Sequence, residues 1–337
     1  MLNSIELKNF GPINQLAWGH LNKINLIIGG NSTGKTFLLK SLYSAMRTLE
    51  EYQRGNEPRN AAEILADKLY WTFQPEKIGD LVAKGADAPL SFKLAFDHRN
   101  FSYTFGRDTT KIISSLENHV LPRKNNSVFL PAKEVLSLHN IILKSREEDK
   151  VFGFDDTYLD LARALRQLTT KGNNYAEFAL SRQNLEGILG GKVEYDEASG
   201  SWQFKKGKQK FPIGVTAEGI KKIAILDTLL GNRYLSPDSI IFIDEPESAL
   251  HPAAISQLLD IVTMLAERGI QFFLASHSYF VVKKLFLVAQ EKGLSIPVIS
   301  ANTDGWQCAD LKDGMPDNAI INESIKLYKD EVELTLK

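Results

Sequence analysis

Cysteine is almost missing: Cys308 is the one thiol in 337 residues. Neither an internal disulfide nor a multi-cysteine metal site is therefore open to the chain, and a reducing compartment is the expectation. Charge of one sign is also missing. The 40 basic and 41 acidic residues leave a formal net charge of -1, which excludes a whole-molecule field for nucleic acid or an anionic membrane and leaves local patches alone to serve such partners. No apolar run is long enough to cross a bilayer, and Glu6 and Lys8 break up the opening "MLNSIELKNF" as a leader. The chain is expected to be cytoplasmic, with no membrane partner. Internal repeats, low-complexity tracts and sustained heptads are absent too. What is there is 43% hydrophobic, enough for a globular core of one large domain with insertions or two ordinary ones.

The patterning predicts an α/β fold. "SIELKNF" alternates as a strand, and "INLIIGG" is a continuous apolar run of the kind buried on both faces. Leu38, Leu39, Leu42, Tyr43 and Met46 then recur at helical spacing after Thr36. "AAEILADKLYWTF" is helical again, and "LSFKLAF" with "FSYTF" predicts a hairpin around "DHRN". "SVFLPAKE" is a short strand stopped by Pro131. Residues from about Glu134 to Leu189 are mostly helical, and "VEYDEASGSWQF" is a second hairpin turning at Ala198 to Gly200. The last third alternates strand and helix ("SIIFIDE", "AAISQLLDIVTMLAER", "IQFFLAS", "YFVVKKLFLVAQEKG", "IPVISANT"), which argues for a mainly parallel sheet covered by helices.

Chemistry concentrates at three strand ends. "GGNSTGKT", residues Gly29, Gly30, Asn31, Ser32, Thr33, Gly34, Lys35 and Thr36, fits G-x-x-x-x-G-K-[ST] between a buried strand and a helix. The bare pattern turns up by chance in roughly one chain of this length in a hundred, so its placement is the stronger half of the signal. Its backbone N–H groups and the helix start suit phosphate oxygens, Lys35 the β and γ phosphates of ATP, and the Thr36 hydroxyl Mg²⁺. "FIDEPESALHP" ends a second buried strand on two adjacent acids that repel each other unless a cation is shared. Asp244 is thus read as a metal ligand and Glu245 as the base that deprotonates the attacking water. "FFLASHS" brings His277 to the end of a third strand, where ligands of open α/β sheets bind. His20, His98, His119 and His139 lack such a context and are read as structural or solvated.

The order P-loop, long insertion, "IDEPESALHP", "ASHS", with the opening "IELKNFGPI", resembles the ABC-type ATPase heads of the SMC, RecF and OLD group over essentially the whole chain. The E-P-E-x-x-L-H-P run is the most specific part. Within that group the chain most resembles the OLD-type (AAA family) ATPases of bacterial antiphage defence systems such as Gabija, Septu and retrons. The resemblance implies a P-loop NTPase of ABC head type: a mainly parallel sheet flanked by helices, an N-terminal antiparallel β element and a helical insertion lobe. It implies one head over residues 1–337, with a nucleotide-binding core at 1–50 and 200–337, an insertion with a hairpin at about 75–130 and a helical lobe at about 131–190. It also implies that Ser248 to His251 form the D-loop, that His277 is the switch histidine, that Gln74 senses Mg²⁺, and that Phe10 borders the adenine. Gly219 in "VTAEGIKK" matches the signature segment offered to a partner's nucleotide. Ala217 stands where the family usually has serine, so Thr216, Lys221 or Lys222 would supply that contact.

OLD nucleases continue into a TOPRIM domain, whereas about 60 residues follow His277. Asp304, Asp310 and Asp313 in "ANTDGWQCADLKDGMPDN" have no supporting fold around them and are read as a turn-rich connection, so any nuclease is expected on another chain. The leading expectation is an ATPase that dimerises or forms larger oligomers and regulates a separate nuclease or toxin in antiphage defence. The alternative is a RecF-like clamp on DNA in repair, for which "KKGKQK" (205–210), Lys221, Lys222, Lys283 and Lys284 would supply the basic face. A transporter ATPase is disfavoured by the E-P-E run and the long insertion.

Overall fold

A computed structural model describes residues 1–167, 178–302 and 305–336. The chain opens with β1 (Leu2–Phe10), β2 (Ile13–Trp18) and β3 (Ile24–Gly29), followed by α1 (Lys35–Glu51) and α2 (Ala61–Phe73). Next come β4 (Leu90–Phe96), β5 (Arg99–Phe105), β6 (Ser115–Asn118) and β7 (Ser127–Leu130), then α3 (His139–Leu143), α4 (Asp156–Arg166) and α5 (Ala179–Leu189). Three strands, β8 (Lys192–Asp196), β9 (Ser201–Lys206) and β10 (Gln209–Pro212), lead into α6 (Glu218–Gly231). The last third runs β11 (Ile240–Asp244), α7 (Pro252–Glu267), β12 (Gln271–Ser276), α8 (Tyr279–Lys292), β13 (Pro297–Asn302), β14 (Gly305–Asp310) and α9 (Ala319–Thr335).

The central sheet has the order β14-β13-β3-β12-β11-β7. All its neighbours are parallel except β13 and β14. β3, β11 and β12 are buried at every position, which explains their unbroken apolar sequences. Alternate side chains feed separate cores: Leu26, Ile28, Ile241, Ile243, Phe272 and Leu274 point to one, and Ile27, Phe242, Phe273 and Ala275 to the other. α1 packs its predicted stripe, Leu38, Leu39, Leu42, Tyr43 and Met46, into the second core. A second, antiparallel sheet, β2-β1-β4-β5-β6, closes over that core. Because the strands of the central sheet run parallel, β3, β11 and β12 bring the loop before α1, the paired acids and His277 to one edge.

The segment expected as an insertion with a hairpin, about 75–130, is tied into both sheets: β4 pairs with β1, and β7 pairs with β11 as the outer strand of the central sheet. The hairpin face predicted from alternation, Phe92, Leu94 and Phe96 with Phe101, Tyr103 and Phe105, is buried because β1 and α1 need a cover. The "KKGKQK" stretch continues as β10, whose residues are all exposed, so it carries no burial pattern to read. The supposed turn-rich connection contains β14, an edge strand with one neighbour in its sheet. There Asp310 accepts from Ser295 Oγ and the N–H groups of Ile296 and Lys312, a turn role. Asp304 and part of the helical lobe (168–177) lie outside the described residues.

A buried charge network ties α1 to the helical lobe. Glu50, with no side-chain exposure, accepts from Arg47 at 2.9 Å, Arg123 at 2.8 Å and Ser127 Oγ at 2.6 Å. Asp160 accepts from the Tyr43 hydroxyl at 2.9 Å and lies 3.3 Å from Arg47 and 3.4 Å from Lys68. Burial by itself would raise the Asp160 carboxyl, but Lys68 and Arg47 outweigh it and hold the group down at about 2. A carboxyl lowered on folding stabilises above its unfolded value, near 3.9, and loses that contribution as pH falls through its folded value. The difference in unfolding free energy between the native protein and Asp160→Asn is therefore expected to be flat above about pH 5 and to shrink toward pH 2. Urea titrations of both proteins across that range measure it.

Candidate functional site

The loop from Gly29 to Gly34 takes its shape from close packing. A Cβ at Gly29 would lie 2.9 Å from Ala301 Cβ and 2.9 Å from Thr33 Oγ1, and Gly34, at φ +95°, would press one onto Pro12 Cγ at 3.0 Å. Side chains at either place would push the loop off β13 and β2 and close the cradle. α1 begins at Lys35, so its unpaired N–H groups face the loop. Lys35 folds back, its ammonium donating to the Gly29 carbonyl at 2.9 Å and the Gly30 carbonyl at 2.7 Å. Burial lowers its pKa against the pull of Asp244, Glu245 and Glu247.

The end of β11 lies directly beside this loop. Thr36 Oγ1 is 3.0 Å from both carboxylate oxygens of Asp244, a contact between residues 208 positions apart. Burial pushes the Asp244 carboxyl up to about 6, with help from the charge of Glu245 and against the Thr36 hydroxyl, Lys40 and Lys35. Hydroxyl and carboxylate oxygens are hard donors of the type Mg²⁺ takes, and an acid so reluctant to ionise unaided gains most from a cation. The residues present thus fit the ion. Glu245 has φ +46°, a left-handed conformation that costs a non-glycine residue energy and is typical of functional turns. Lys222 holds this turn from α6, donating to the carbonyls of Glu245 and Ser248 at 3.1 Å each.

His277 follows β12, and its Nδ1 is 3.5 Å from Oε1 of Glu245 and 3.5 Å from Oε1 of Glu247. A cleft of about 600 Å³ takes in the loop, Glu245 and His277, and is walled by Pro12, Phe37, Lys40 and Phe73. A larger cleft, about 770 Å³, lies at the opposite ends of the strands around Lys23, Asp97 and Asp238 and contains none of these groups.

Several sequence-based assignments are placed elsewhere. Phe10 is fully buried, with Phe37 edge-on at 5.1 Å and Phe73 at 5.8 Å, so it backs the cleft wall without lining it. Gln74 caps α2 in a left-handed conformation, and both ends of its amide are taken by the Phe154 carbonyl and the Gly153 N–H. Its amide is therefore committed to residues 153–154 and not to Thr36 or Asp244. Gly219 packs on the segment after β11, where a Cβ would meet Leu250 Cδ2 at 3.3 Å. Lys221 is buried on Glu218 and Ser137 and Lys222 on the turn carbonyls, so neither is free to reach a partner's phosphate or DNA. Lys284 pairs with Asp260. The sequence reading missed Phe37, Phe73, Lys40 and Glu247. The second acid of E-P-E was the available signal for Glu247, while Lys40 could have been found one helical turn after Thr36.

Residues 24–283 match the family described as "AAA domain, putative AbiEii toxin, Type IV TA system". No curated protein matches the chain. Among solved structures, an SMC head bound to the C-winged helix domain of ScpA is 13% identical at a TM-score of 0.55, covering 92% of this chain and 97% of that one. The Pyrococcus furiosus Smc head with an extended coiled coil, bound to the C-terminal domain of ScpA, is 12% identical at 0.51, covering 98% of both. At this identity the likeness is one of fold: an α/β fold of the SMC-head type.

Proposed function

The chain belongs to this AAA-domain family, and on that premise we propose that it is a Mg²⁺-dependent ATPase whose hydrolysis site is built on the cleft between α1, β11 and β12. The observation that carries the reading is the meeting of Thr36 and Asp244 at 3.0 Å beside Glu245 and His277 in one cleft. Backbone N–H groups from Gly30 to Thr36 would take the phosphates, and Lys35 would exchange two carbonyls for the β and γ oxygens. Thr36 and Asp244 would hold Mg²⁺, which supplies charge neutralisation at the phosphates. Glu245 takes a proton from the attacking water at its carboxylate, and His277 contacts the terminal phosphate. Gly219 and the start of α6 would meet the nucleotide of a second copy.

Phosphate release from ATP tests this directly. We expect release with Mg²⁺ that stops with EDTA and in Lys35→Ala; release equal in all three samples would remove the site from the reaction.

We extend the proposal to a two-part machine in antiphage defence, in which ATP-driven association of this chain restrains or releases a separate nuclease or toxin. Supporting this are the resemblance of "IDEPESALHP" to OLD-type ATPases and the toxin–antitoxin wording of the family description. The DNA clamp is less favoured because Lys221, Lys222 and Lys284 are engaged within the chain.

A further inference from the structure

Glu247 has a place in the E-P-E run but no part in the chemistry above. Its side chain is 10% exposed. Oε1 accepts from Ser276 Oγ at 2.8 Å and from the His277 N–H at 3.1 Å, and sits 3.5 Å from His277 Nδ1. Oε2 is buried with no hydrogen-bond partner among the described residues. Half-satisfied buried carboxylates are costly and persist where function requires them. Glu245, the other acid 3.5 Å from Nδ1, is 36% exposed and sits on a strained turn.

We infer that Glu247 is the positioning residue for His277. The two acids then divide the work. Glu247, pinned by two donors from the end of β12, fixes the main chain at Ser276 and His277 and keeps Nδ1 facing a carboxylate. That orientation places the proton on Nδ1 and leaves Nε2 as the nitrogen offered to the terminal phosphate. Glu245 remains free to turn toward water.

This inference rests on the proposed ATPase, and its test separates the two. Glu247→Gln keeps length and one acceptor oxygen but removes the charge facing the imidazole. We expect kcat to fall by about 10- to 100-fold, the size seen when a residue orienting a functional histidine is lost, with KM for ATP changed less than about threefold. In a His277→Ala background the same substitution should cost less than about twofold, because its effect runs through the ring. Ser276→Ala, which removes one anchor and leaves Glu247 and His277 themselves in place, should lower kcat severalfold with the same loss of effect in the His277→Ala background. This second variant decides the matter if Glu247→Gln does not fold. Wild-type kcat in Glu247→Gln, or an equal loss with and without His277, would overturn the positioning role while leaving the ATPase intact. Wild-type kcat in His277→Ala would overturn the positioning role together with the contact of His277 to the terminal phosphate, while the ATPase itself would stand.

Discussion

Glu245→Gln is expected to lower ATP turnover by about 10²- to 10⁴-fold, the contribution of a positioned general base, while ATP still binds. The substitution conserves shape and leaves Lys35, Thr36 and Asp244 untouched, so the phosphate and metal contacts survive. Glu245 also meets the cleft with 36% of its side chain exposed, so removing its charge does not leave a buried partner unpaired. A protein that binds but does not consume ATP should accumulate its nucleotide-bound form. If that form is two heads closed over two nucleotides, light scattering of the variant will show a mass that doubles only with MgATP. An unchanged monomer mass would remove the dimer from the proposal, and a constant oligomer would mean a standing scaffold. Turnover within tenfold of the native protein would remove Glu245 as the base.

The second large effect is structural. Glu50→Ala is expected to destabilise the protein by about 3–5 kcal/mol, the usual cost of breaking a buried ion pair from one side. Glu50 has no exposure, and its loss takes a carboxylate from both Arg123 and Arg47, whose side chains are 6% and 10% exposed. Arg123 would keep the Asp238 carbonyl, a 3.4 Å contact to Ser127 and the face of the Phe96 ring at 4.7 Å, none of which carries a negative charge. Arg47 would retain Glu51 and Asp160, so the loss falls mainly on Arg123. Glu50 lies fifteen residues beyond Lys35 in α1, about 22 Å along the axis, so ATP affinity measured below the unfolding transition should be unchanged. Guanidinium titrations of the two proteins measure the stability, and a loss below about 1 kcal/mol would mean that the network relaxes onto other partners.

Much of this protein was legible in the sequence because much of it is local. The apolar runs at Ile24–Gly29, Ile240–Asp244 and Gln271–Ser276 predict strands buried on both faces, and parallel strands deliver their following loops to one edge. Lys35, Thr36, Asp244, Glu245 and His277 could therefore be expected in one place before any coordinates. The resemblance added expectations for a D-loop, a signature segment, a Mg²⁺-sensing Gln74 and an adenine-bordering Phe10, and the last two side chains are placed differently from expectation. Neither side chain's direction is a property of its own segment: Gln74 is turned by Gly153 and Phe154, and Phe10 by the aromatic wall of Phe37 and Phe73.

What only the tertiary structure decided has the same origin. Sequence alone could not join β4 to β1 or β7 to β11, turn Lys221 and Lys222 inward, gather Glu50, Arg123 and Asp160 into one buried network, or set Glu247 under His277. Strand periodicity and helical spacing record which face of a segment is buried, and those are read over a few residues. A charged side chain carries no such period, and whether it ends in water, on a partner or beneath a histidine ring is decided by other segments, from 23 residues away for Lys222 and Glu245 to 117 for Tyr43 and Asp160, that the fold brings beside it.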